Sequence, residues 1–140
     1  MALVDELKAI GKRLGEREAK QASRREELYV HAHALHARVR EGLEGFSSAG
    51  KEAGADHLVV ELSTPRIDEK HLHAVQFDVA RGRHCLIVTV KPKGEVTLVG
   101  PFKTGKPEGP CRSLALDDEA GVEAGLSEVL AEFLEAAFAP

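Results

Sequence analysis

Seven histidines are the first residues in this chain whose type could do chemistry, and three of them, His31, His33 and His36, crowd into one HxHxxH stretch. Imidazole holds a metal only where several rings converge. On a helix, His31 and His33 diverge by about 160° at 100° per residue, so at most His33 and His36 share a side. Among the strand-like segments, His71 and His73 share a face at i, i+2, while His84 falls at the far end of the same hairpin, roughly 20 Å away at 3.3 Å per residue. These rings read as hydrogen-bonded or solvated side chains. No metal and no cofactor is predicted.

The other reactive types give no stronger pattern. Residues 100–106, GPFKTGK, match the first seven positions of the P-loop pattern, but the eighth is Pro107 instead of Ser or Thr. Pro107, Gly109 and Pro110 also oppose the helix whose N-terminus would hold the phosphates. Cys85 is expected on a strand opposite Asp78 with no histidine nearby, and Cys111 in a connector, so neither forms a Cys/His pair. No serine sits in a nucleophile elbow. The chain therefore reads as non-catalytic. With two cysteines and no CxxC, it fits neither a disulfide scaffold nor a zinc or redox motif, which points to reduced thiols in the cytoplasm.

Charge separates along the chain. Residues 1–48 carry +1, residues 49–112 +2 and residues 113–140 −7, for a net charge of −4. That balance, with five Phe and one Tyr as the only aromatics, argues against nucleic acid as a partner, which needs a basic footprint or stacking platforms. Asp5, Glu6, Lys8, Lys12 and Arg13 interrupt the N-terminal apolar residues, so neither a secretory leader nor a membrane anchor is expected there.

The elements that position these residues follow from periodicity. Leu3, Leu7, Ile10 and Leu14 recur at spacings of four, three and four, one stripe of an amphipathic helix. Ser23 and Glu26 match a capping box, which predicts a break at Ser23 and divides the chain into an arm, residues 1–22, and a single α+β domain, residues 23–140. The alternative is one continuous helix with a projecting arm. Leu28, Leu35, Val39, Leu43 and Phe46 form the buried side of the next helical stretch, and residues 46–56 read as a loop.

Four β-branched runs follow, at 57–63, 71–80, 83–91 and 95–99. A turn at Arg81-Gly82 would oppose Val79 to His84, Phe77 to Leu86 and Val75 to Val88. At the next turn, parity demands a three-residue loop with Gly94 at positive φ, which sets Val90 opposite Val96 and Val88 opposite Leu98. Residues 100–112 read as an irregular connector. A last helix starts at Asp117 and carries Val122, Leu126, Val129, Leu130, Phe133, Leu134 and Ala137 on one face, with Glu123, Glu128, Glu132 and Glu135 elsewhere.

The predicted class is α+β, a two-layer sandwich in which a four-stranded antiparallel meander is flanked by N-terminal and C-terminal helices (α-α-β-β-β-β-α). Its order of elements resembles the general plan of frataxin-like proteins and, less closely, of secretion chaperones, a likeness of architecture that licenses no activity. With both helices on one sheet face, the other, carrying Val59, Glu61, Ala74, Gln76, Cys85, Ile87, Thr89 and Val99, is left open to all but the arm. Such a surface suits association. The expected function is thus a cytoplasmic protein–protein interaction or adaptor module, a homodimer or bound to a protein partner, contacting through Leu3, Leu7, Ile10, Leu14, Val59, Gln76, Ile87 and Thr89. A small-ligand or metal-handling domain, using the acidic C-terminal helix or His71 and His73, is the alternative.

Overall fold

The structure is a computed structural model of the 140-residue chain. It describes residues 2–68, 74–105 and 109–140, the side chains of 21–25 and 68 excepted. The order is α1 (Ala2–Glu52), β1 (Glu61–Leu62), β2 (Arg66–Asp68), β3 (Ala74–Arg81), β4 (His84–Lys91), β5 (Glu95–Lys103), β6 (Cys111–Ala115) and α2 (Glu119–Ala137). The α+β two-layer class is as the hydrophobic pattern requires.

One helix, not two, opens the chain. It runs through Ser23 without a break and on to Glu52, so neither the predicted interruption nor the loop from residue 46 forms. The segment 15–27 is built almost wholly from Glu, Lys, Arg, Gln and Ala, all strong helix formers. A Ser and a Glu three residues apart also sit comfortably as neighbours within a helix. After α1 the chain turns back so tightly that Ser47 Oγ donates to the Leu58 carbonyl at 2.7 Å, and a Cβ on Gly50 would lie 2.6 Å from Leu58 Cδ1.

Among the described residues the sheet has six strands, in the order β1-β3-β4-β5-β6 with β2 also paired to β3, and every pairing is antiparallel. The β4–β5 turn is the predicted one: Val90 faces Val96, Val88 faces Leu98, and Gly94 has φ +84. The β3–β4 hairpin is displaced two residues from the expected pairing. Arg81 faces His84, Val79 faces Leu86, Phe77 faces Val88 and Val75 faces Val90, because the two-residue loop is Gly82-Arg83, with Gly82 at φ +59. A slip of two preserves which side chains share a face.

Two strands differ from expectation. The 57–63 run contributes only the two residues of β1; the Ser63 N–H still donates to the Asp78 carbonyl, but the Ser63 hydroxyl in place of its carbonyl accepts from the Asp78 N–H, and after Pro65 β2 resumes pairing along β3. The supposed connector 100–112 instead extends β5 to Lys103 and supplies β6, which pairs Leu114 with Val96 and Arg112 with Leu98. The start of the 71–80 run, with His71 and His73, and residues Lys106 and Pro107 lie outside the described residues.

Between the layers, Leu28, Ala32, Leu35, Val39 and Leu43 of α1 and Val122, Leu126, Val129, Phe133 and Ala137 of α2 close over Val75, Phe77, Val79, Leu86, Val88, Val90, Val96 and Leu98. Asp118, one residue later than expected, caps α2 by accepting from the Gly121 N–H. Arg81, the last residue of β3, satisfies the other end. Its guanidinium donates to the Ala137 carbonyl at 2.7 Å and lies 4.0 Å from the centre of the Phe138 ring.

Candidate functional site

The histidine cluster dissolves into separate structural roles. His33 stacks on Tyr29, four residues earlier on α1, with ring centroids 5.9 Å apart. His36 turns inward, shares a 2.9 Å hydrogen bond with the Ser63 carbonyl and meets the Phe77 ring edge-on at 5.2 Å. His31 is exposed. Among the described residues, no three His, Cys, Asp or Glu side chains gather to hold a metal. Two carboxylates of the acidic ridge are engaged: Glu123 pairs with Arg38 of α1 at 3.3 Å and Glu128 with Arg112 of β6 at 3.0 Å. The ridge thus helps join α2 to its neighbours.

On the second sheet face, β2 to β6 align Arg66, Gln76, Thr89, Thr97 and Ser113 in one row. Asp78, Ile87, Val99 and Cys111 form the next. Both helices pack on the opposite face, and among the described residues no helix covers this one. Its chemistry is more polar than the sequence reading implied. Ser63 and Arg66 converge on Asp78: Arg66 Nη1 donates to Asp78 Oδ1 at 2.7 Å and the Ser63 hydroxyl donates to the same oxygen at 2.8 Å. Burial pushes the Cys85 thiol up from its ordinary value, and the nearby Asp78 carboxylate adds to that. This is the opposite of activation. At the far edge, a hydrogen bond with Ser113 and then one with Lys93 hold the Glu95 carboxyl below its usual range.

Gln76, Ile87 and Thr89 thus share the open face as expected. Gln76 and Ile87 are half-buried, and Thr89 is buried between its neighbours. Val59 does not join them. It lies before β1, 59 % exposed, beside Arg40, Leu43, Glu44 and Ser47 of α1, because β1 begins only at Glu61.

The four remaining candidates come together on one surface, the N-terminal half of α1. Leu3, Leu7, Ile10 and Leu14 are 62 %, 58 %, 41 % and 38 % exposed, with Val4 beside them. Every residue from Ala2 to Lys20 is exposed, and among the described residues Leu28 is the first buried position along the helix. Ile10 and Leu28 are eighteen residues apart, about five full turns, so they lie at nearly the same angle around the axis. The apolar seam that meets the sheet from Leu28 to Leu43 thus continues bare beyond it.

Comparison with protein-family models, with curated proteins and with solved structures finds no match for this chain. Among the described residues no helix is long and apolar enough to cross a membrane.

Proposed function

We propose that this protein is a non-catalytic, cytoplasmic protein–protein interaction or adaptor module that associates with itself, with the N-terminal half of α1 as its principal contact. One observation supports this above all: the Leu3, Leu7, Ile10, Leu14 seam is exposed yet in phase with the core seam of the same helix. A helix owes most of its stability to packing of its apolar face, and a contiguous bare apolar strip is a recognised mark of an interaction site. The polar row on the open sheet face makes that face, with Gln76, Ile87 and Thr89, a secondary surface. Two free thiols, one of them buried, suit a reducing compartment.

Sedimentation equilibrium of the full chain tests this. The wild type is expected to show a concentration-dependent dimer that Leu7→Glu with Ile10→Glu abolishes without changing the thermal unfolding of the body. A chain that is monomeric throughout, or a dimer indifferent to the double substitution, overturns the assignment to the arm.

A further inference from the structure

We infer that the bare half of α1 pairs with the same segment of a second copy as an antiparallel two-stranded coil, in one register; this rests on the self-association reading above. Spacings of four, three and four place Leu3 and Ile10 at the d positions of a heptad and Leu7 and Leu14 at the a positions. Val4 and Gly11 then flank the seam on one side, and Glu6 and Arg13 on the other.

Set antiparallel with Leu7 across from the partner's Ile10 and Leu3 across from the partner's Leu14, every layer is apolar. Glu6 then meets the partner's Arg13, and the two-fold axis repeats the pair. Val4 falls beside the partner's Gly11, where the missing side chain leaves room. Sliding by one heptad in one direction sets Glu6 against the partner's Glu6; in the other it sets Arg13 against the partner's Arg13. Both slips also remove apolar layers. Charge and packing therefore select the same register.

The body selects the direction. From Leu28 onward the sheet occupies the side of α1 on which the seam lies. A parallel partner helix following the seam would run into it, and a coil spacing of about 8–10 Å leaves no space for a sheet between the helices. In the antiparallel pair the partner's Ala2 reaches only as far as Gly15, thirteen residues or about 20 Å short of Leu28. The two bodies lie at opposite ends.

The test is a charge exchange in the full-length chain, read as the dimer dissociation constant. Glu6→Arg alone and Arg13→Glu alone each place like charges together and are expected to weaken the dimer about tenfold, while the two combined restore it to within about threefold. As an independent readout, chains bearing Leu7→Cys and Ile10→Cys, in a Cys85→Ala, Cys111→Ser background, are mixed and oxidised. Mixed 7–10 disulfides are expected to dominate. A dimer that needs Leu7 but shows no charge rescue, or forms 7–7 and 10–10 disulfides instead, overturns the antiparallel register and leaves self-association standing. A wild-type chain monomeric to about 0.5 mM overturns both.

Discussion

The two halves of α1 are one helix with one apolar seam, and they end in opposite environments. From Leu28 to Leu43 the seam is sealed against the sheet, whereas from Leu3 to Leu14 the same face stands in water. Periodicity fixes which side of a helix is apolar; it does not say whether the chain holds anything for that side to meet. The contrast also separates stability from recognition, since the buried half holds the body together and the bare half is free to serve a contact.

The widest separation between the halves should come from matched truncations. Leu28→Ala, at a position 5 % exposed, is expected to cost about 2–5 kcal/mol in urea unfolding, against less than about 0.5 kcal/mol for Ile10→Ala measured where the chain is monomeric. Similar losses would mean that the arm folds back onto the body. Glycines sharpen the same point. Gly100 sits at φ +124 with the Cys85 carbonyl oxygen 2.8 Å from where a Cβ would stand, so Gly100→Ala should destabilise by about 1–3 kcal/mol. Gly15 has nothing within 4 Å, and Gly15→Ala should stabilise the arm helix by about 0.5–1 kcal/mol, read as slower amide exchange around it.

Smaller effects are confined to the body. Removing the cap of α2 with Asp118→Ala should cost about 1 kcal/mol, seen in global unfolding but not in arm exchange. The smallest concerns Glu95. Its folded-state pKa lies below the ordinary value, so its contribution is present above that ordinary value and is lost as pH falls through the lowered one. Ser113→Ala should move the carboxyl back toward its usual range in an NMR titration.

How far the fold was legible follows from how each signal works. Alternation assigned Val75, Phe77, Val79, Leu86, Val88, Val90, Val96 and Leu98 to one buried face, and parity selected the Gly94 loop, because a one-residue error there would turn Val96 and Leu98 outward. Alternation cannot see a two-residue slip, and the β3–β4 pairing was displaced by that amount. β6 escaped notice because Leu114 is its one large aliphatic side chain and two prolines, Pro107 and Pro110, precede it after β5. Its signal lies in the helix layer, at Gly125 of α2, where a Cβ would meet Leu114 at 2.6 Å. The arm seam was fully legible. Val59 was not, since its exposure depends on where pairing begins.

The unsupported reach of α1 has a consequence at the bench. Its 51 residues span about 75 Å at 1.5 Å per residue, whereas a compact chain of 140 residues has a radius of gyration near 14 Å. Such a rod adds hydrodynamic drag out of proportion to its mass. Even a single copy should leave a gel-filtration column ahead of 15.1 kDa standards, so light scattering, and not elution volume, is the proper count of chains per particle.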